Sequence, residues 1–134
     1  MFKRWGAALA ALVLAVGVFL TGCGAPEAQG FTGLTAEQAK AMMDEGNVVV
    51  VDVRTQDEYT AGHVPGAILV PGETIGSEPP AALPDLDATL LVYCRSGRRS
   101  REAAGKLAAL GYTAVYDFGG IIDWPYDVVE GDAP

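Results

Sequence analysis

Thr89-Leu90-Leu91-Val92-Tyr93-Cys94-Arg95-Ser96-Gly97-Arg98-Arg99-Ser100-Arg101 is an apolar run that ends in a cysteine, crosses a loop with one glycine and three arginines, and enters a helical pattern. Leu90 to Tyr93 is short and uniformly apolar, which predicts a buried strand. From Arg99 to Leu110, the residues Ala103, Ala104, Leu107, Ala108 and Leu110 keep one apolar face, and Gly111 stops the helix they predict. Cys94 is thereby placed where a strand ends and a helix is about to begin.

In open α/β sheets the ligand crevice lies at the carboxyl ends of the strands. A loop bending into a helix N-terminus aims backbone N–H groups at one point, and the helix dipole adds positive potential there. Three loop arginines, with Arg101 in the first helical turn, strengthen it. Such surroundings lower a thiol pKa and attract small anions. A free cysteine is also a common small core residue, but Gly97 and the arginines favour a nucleophilic thiolate in an anion-binding cradle.

Outward from this stretch, 134 residues are enough for one domain. Lys3 and Arg4 precede an apolar run from Gly6 to Leu20, 15 residues long. That is short for a membrane span and suits the apolar core of a signal peptide. Leu20-Thr21-Gly22-Cys23 then resembles the bacterial lipobox, in which the cysteine is lipidated and becomes the new N-terminus. The expected organisation is a lipoprotein signal peptide over 1–22, a lipid-anchored linker over 23–33, a domain over 34–130 and a frayed tail over 131–134. The expected location is extracytoplasmic, with the acyl chains on Cys23 (palmitate among them) anchoring the protein to the bacterial cell membrane.

Lipidation of Cys23 leaves Cys94 as the sole thiol, so an intramolecular disulfide is ruled out, as is a structural zinc site with a single histidine. Loss of Lys3 and Arg4 leaves 7 basic against 17 acidic residues, a formal charge of −10. That balance excludes nucleic acid and an anionic membrane surface as partners. Four of the seven basic residues nevertheless fall between Arg95 and Arg101, a basic island that reads as a site for a small anion.

Gly24 to Gly33 is polar and glycine-rich, a tether. Thr35 with Gln38 forms a capping box for a helix through Glu45, with Ala39, Met42 and Met43 on its inner face and Gly46 closing it. Val48 to Val53 predicts a buried parallel strand that delivers Asp52 and Arg54 to the sheet edge where Cys94 emerges. Thr55 and Glu58 cap a short helix through Tyr59 and Ala61. Gly62 to Ala67 is a stiff turn, Ala67 to Val70 a strand, and Pro71 to Pro84 a loop with one helical turn near Ala81. Thr113 to Tyr116 predicts a last short strand. Phe118-Gly119-Gly120-Ile121-Ile122-Asp123-Trp124-Pro125 is a turn whose glycines allow close backbone approach and whose Trp124 anchors it. His63, the single histidine, reads as a hydrogen-bonded turn residue rather than a catalytic base. Strands alternate with helices, so the fold class is α/β with a mainly parallel central sheet flanked by helices on both faces.

Four stretches together resemble the rhodanese-like domain family: Val51-Asp52-Val53-Arg54 with Asp57-Glu58-Tyr59; Gly62-His63-Val64-Pro65-Gly66-Ala67; Cys94-Arg95-Ser96-Gly97-Arg98-Arg99-Ser100; and Phe118-Gly119-Gly120-Ile121 with Trp124. The resemblance covers roughly Phe31 to Val129. It implies a six-residue loop of pattern Cys-x-x-Gly-x-Arg, matched by Cys94, Gly97 and Arg99, in which Cys94 is the nucleophile and becomes a persulfide. By the same resemblance Arg95, Ser96, Gly97, Arg98, Arg99 and Ser100 bind substrate, and Asp52 and Arg54 brace the fold. The implied function is a sulfurtransferase taking sulfane sulfur from thiosulfate, polysulfide or a similar anion to a thiol acceptor. A monomer is expected, with no cofactor and no metal.

The alternative from another class is an extracytoplasmic persulfide- or polysulfide-binding or sensing module without steady turnover. Related phosphatases place an arginine six residues after the cysteine, where this chain has Ser100. A thiol-redox role lacks a resolving cysteine, and a cysteine protease lacks a base beside the thiol.

Overall fold

Every strand pair in the sheet is parallel, and the strand that ends in Cys94 lies at its centre. A computed structural model describes residues 30–134, so the expected signal peptide, Cys23 and the tether up to residue 29 lie outside the described residues. The elements are β1 (Thr32–Gly33), α1 (Ala36–Glu45), β2 (Val48–Asp52), α2 (Gln56–Ala61), β3 (Ile68–Leu69), β4 (Thr89–Cys94), α3 (Arg98–Ala109) and β5 (Ala114–Gly120), with single 3₁₀ turns at Gly72–Thr74 and Ile121–Asp123. The sheet order is β1-β5-β4-β2-β3.

The continuous apolar character of β2 and β4 follows from cover on both faces. Successive residues of a strand point to opposite sides. Leu90, Val92 and Cys94 join Ala103, Ala104 and Leu107 of α3 in one core, while Leu91 and Tyr93 join Ala39 of α1, Tyr59 of α2 and Trp124 in the other. The fold is the expected one, α/β with helices on both faces. Both expected capping boxes form: Thr35 with Gln38 starts α1, and Thr55 with Glu58 starts α2.

Four local expectations change. The chain joins the domain before residue 34: Phe31 is buried, and Thr32 and Gly33 pair with Tyr116 and Asp117, because an open edge of β5 has backbone groups to satisfy. The tail is not frayed. Gly131 N–H donates to Thr60 O at 2.9 Å, Thr60 Oγ donates to Asp132 at 2.6 Å, and Ala133 O meets the His63 ring at 2.8 Å. The helical turn in the proline-rich loop lies at Gly72–Thr74, where Thr74 bonds back to Pro71 O, and Ala81 sits in a plain turn. Finally, β5 runs to Gly120 instead of ending at Tyr116, and Gly120 pairs with Cys94 after a register shift in the ladder beyond Val92.

One buried polar network ties these elements together. Asp52, fully buried at the end of β2, takes charge-assisted bonds from Arg54 on both oxygens, from Nε at 3.0 and 3.1 Å and from Nη2 at 2.7 Å. Tyr93, the residue before Cys94, donates its hydroxyl to Asp52 at 2.6 Å and accepts Val64 N–H at 3.0 Å. Arg54 also donates to Gly62 O at 2.7 Å. Burial first, and then the Asp52 charge, push the Tyr93 hydroxyl far above its ordinary value, so it stays a donor. As the family resemblance implies, Asp52 and Arg54 brace the fold. Asp52→Asn leaves the Arg54 guanidinium buried without its counter-charge, so it should cost about 3–5 kcal/mol, read as a lower urea midpoint for unfolding.

Candidate active site

β4 delivers Cys94 to the carboxyl edge of the sheet, and the chain then doubles back over the sulfur. The reversal needs Gly97, whose φ of 103° lies in the left-handed region and which starts α3 without a side-chain cap. Its N–H, free at the helix end, donates to Cys94 Sγ at 3.0 Å. Ser100, one turn into α3 and fully buried, sets its Oγ 3.4 Å from Sγ. With the thiol protonated, that hydroxyl accepts from S–H and donates to Gly97 O at 3.1 Å. When sulfur is ionised, the hydroxyl can turn its hydrogen to the thiolate.

A second glycine makes the floor of the loop. A Cβ on Gly120 would stand 2.2 Å from Arg95 O and 2.7 Å from Ser96 Cα, so only glycine lets β5 pass beneath the loop. Ile122 N–H, just beyond, donates to Arg95 O at 3.2 Å.

Cys94 is 1% exposed. Burial pushes its thiol pKa up, but the Ser100 hydroxyl and the backbone N–H groups of Ser100, Gly97 and Ser96 outweigh that and hold it below the ordinary value of a thiol. Gly97 N–H and the Ser100 hydroxyl converge on one sulfur atom at a positive helix end. The arrangement stabilises a thiolate, and it suits any further negative charge that forms on an atom bonded to that sulfur.

The structure sorts the expected site residues. Gly97 and Ser100 touch the sulfur, and Arg95, Ser96 and Arg98 are exposed at the loop rim. Arg99, expected among the substrate ligands, is partly exposed and already holds a carboxylate. Its guanidinium is taken up by Glu58 in a two-pronged pair at 2.8 and 2.9 Å, which fastens the start of α3 to α2. Mainly through the bond from Arg99, opposed by burial, the Glu58 carboxyl falls to about 2. In the sequence Glu58 stands as a helix cap and within one of the stretches that resemble the family; its separation from Arg99, 41 residues along the chain, carries no signal of their pairing. His63 is buried, stacked on Tyr59 at 3.7 Å, with its ring nitrogens against Tyr59 O and Ala133 O. It is a structural residue held away from the thiol.

Comparison with known proteins fits this geometry. A family model described as Rhodanese-like domain matches residues 35–125. The chain is 38% identical over 81 residues to the thiosulfate sulfurtransferase PspE of Escherichia coli (strain K12), a match spanning 60% of this chain and 78% of that protein. It is 37% identical over 108 residues to the thiosulfate sulfurtransferase GlpE of Pseudomonas entomophila (strain L48), spanning 77% of this chain and 96% of that one. A tRNA uridine(34) hydroxylase of Erwinia tasmaniensis is 34% identical over 96 residues, 68% of this chain but 27% of that protein. Among solved structures, a rhodanese with anions from E. coli superposes with a TM-score of 0.57 at 37% identity, covering 62% of this chain and 98% of that one.

Two outcomes follow from the site geometry. Ser100→Ala removes one donor to the thiolate, so the midpoint of the pH dependence of iodoacetamide alkylation should rise by about one pH unit. Glu58→Gln should lower the unfolding free energy at neutral pH by about 1 kcal/mol, a figure kept small because both partners of the pair are partly exposed. A depressed carboxyl contributes stability above its unfolded value, near 4.5, and loses it as pH falls through about 2. The gap between wild type and variant should therefore close across that acid range in denaturation measured at several pH values.

Proposed function

The chain belongs to the rhodanese-like family, and from that premise we propose that it is a sulfurtransferase with Cys94 as nucleophile. The observation that carries the reading is the pair of polar groups on the sulfur at the start of a helix, Gly97 N–H donating at 3.0 Å and Ser100 Oγ at 3.4 Å. In the first step the Cys94 thiolate attacks the outer sulfur of thiosulfate. The new S–S bond forms as the old one breaks, and sulfite leaves with the electron pair. The negative terminal sulfur of the persulfide then sits over the loop amides. In the second step a thiophilic acceptor attacks that terminal sulfur, and Cys94 leaves as a thiolate. No external oxidant or reductant enters, and no cofactor is needed.

Arg95 and Arg98 at the rim suit an incoming anion such as thiosulfate or a polysulfide. A position six residues after Cys94 that is filled by Ser100, not arginine, fits a loop sized for sulfur better than one sized for phosphate. The natural acceptor is taken to be a thiol, and the protein a monomer.

The proposal extends to location. Lys3, Arg4, the apolar run Gly6 to Leu20 and the Leu20-Thr21-Gly22-Cys23 box support a signal peptide cleaved before a lipidated Cys23, with the domain held outside the cytoplasm on the bacterial cell membrane.

Full-length protein in non-ionic detergent should form thiocyanate from thiosulfate and cyanide, and Cys94→Ala should abolish it. Thiosulfate alone should add the mass of one sulfur atom to the wild type and none to the variant. A mass gain without turnover would replace the enzyme by a sulfur-holding or sensing module. In a bacterial host, wild type should fractionate with membranes, and Cys23→Ala should lose the lipid mass on that residue.

A further inference from the structure

Among the described residues there are seven basic side chains, and their partners divide them sharply. Lys40 pairs with Asp44, Arg54 with Asp52, Arg99 with Glu58 and Lys106 with Glu102. Arg95, Arg98 and Arg101 have no carboxylate partner among the described residues and are exposed. The chain has 17 acidic residues to choose from, so three unpaired arginines side by side are not a sampling accident of a basic protein. Arg95 and Arg98 flank the thiol loop, and a small anion accounts for them. Arg101 lies one turn further along α3, on the same helix face as Arg98, and the sulfur chemistry does not use it.

These two helix arginines share an open, shallow groove of about 500 Å³ with Phe31, Glu102 and Gly105. That is more room than an inorganic sulfur anion fills. The lining is mixed. Phe31, buried in the core, shows only an edge there, Gly105 has no side chain, and Glu102, already paired with Lys106, adds a carboxylate. A carboxylate beside the arginines disfavours a dense polyphosphate, while a polypeptide segment with spaced acidic side chains can set them on Arg98 and Arg101 and clear Glu102. The groove is open and shallow, and the formal charge of −8 on the whole chain opposes the broad anionic plane of a bilayer, whereas a short acidic segment need meet only this face.

We propose that the α3 face from Arg98 to Arg101, continuous with the thiol loop through Arg98, docks an acidic polypeptide segment that presents the acceptor thiol. The role of the docked thiol rests on the sulfurtransferase reading above; the docking itself does not. Transfer then balances as written there: the partner's thiolate attacks the terminal sulfur of the Cys94 persulfide, a new persulfide forms on the partner, and Cys94 is released as thiolate. Charge complementarity at such a rim acts chiefly on association rate and partner choice.

Binding is measured first, by fluorescence anisotropy with full-length protein in non-ionic detergent. The probes are short labelled peptides with a central serine flanked by glutamates, by glutamines or by lysines. The glutamate peptide should bind about tenfold more tightly than the glutamine peptide and lose that advantage at high salt. Arg101→Glu should remove the preference, and Arg101→Gln should reduce it, with far-UV circular dichroism unchanged in both. Equal binding of the glutamate and glutamine peptides, or a preference untouched by Arg101→Glu, overturns the proposal. So does, after detergent removal, sedimentation with phosphatidylglycerol vesicles that exceeds sedimentation with phosphatidylcholine vesicles and is lost in Arg101→Glu, in the absence of peptide binding; that would assign the face to lipid.

With cysteine in place of the central serine, the glutamate peptide should take sulfur from thiosulfate-loaded protein about tenfold faster than the glutamine peptide. Arg101→Glu should reduce that ratio relative to cyanide turnover measured in parallel. Peptide preference without any cyanide turnover would overturn the sulfurtransferase reading and leave the docking face standing. Cyanide turnover without peptide preference would do the reverse.

Discussion

The Asp52 carboxylate is the point on which the rest of this structure closes. It is fully buried at the end of β2, and its oxygens are taken by Arg54 and by the hydroxyl of Tyr93. Through Arg54 it holds the turn at Gly62, and through Tyr93 it holds Val64 and the last turn of β4 before the cysteine. A buried ion pair of this kind adds little stability over an apolar substitute, because desolvation offsets most of the Coulomb gain. Its effect is positional. Among the described residues no buried side-chain nitrogen or oxygen lacks a partner, so the carboxyl ends of β2 and β4 have one arrangement in which nothing buried is left unsatisfied.

That fixed edge lets a weak set of donors act on one sulfur. Cys94 is buried enough that desolvation alone would make its thiol less acidic. The loop amides and Ser100 reverse the sign because they are already aimed when the proton leaves. The aim comes from two glycines for different reasons. Gly97 supplies a left-handed turn, and Gly120 supplies missing volume beneath Arg95. The Glu58–Arg99 pair adds a third restraint by pinning the first turn of α3 to α2. Reactivity here is a property of the loop's supports as much as of the loop.

Charge is organised on a larger scale in the same way. In a chain of formal charge −8, four cations among the described residues are spent on internal pairs and three are left bare around and beyond the thiol. An acidic surface with one cationic face repels acidic molecules everywhere but at that face, so long-range attraction and the location of the chemistry coincide.

Much of this was legible in the order of residues. The apolar runs of β2 and β4, the capping boxes at Thr35 and Thr55, the stop at Gly111 and the strand-cysteine-loop-helix passage are local features, decided by spacing within about a dozen residues, and local spacing is what a linear string displays. The sequence by itself therefore determined the α/β class, the place of Cys94 at the carboxyl edge and the glycine-rich turn after it. The tertiary structure alone decided which partners meet across that edge. It paired Arg99 with Glu58, drew Gly120 into β5 under Arg95, brought Phe31 into the core and tied the 131–133 segment to α2. Each of these joins residues tens of positions apart, and the reason they form is a demand that burial creates: hydrogen bonds to satisfy, charge to match and volume to fill, none of which exists until the sheet has closed.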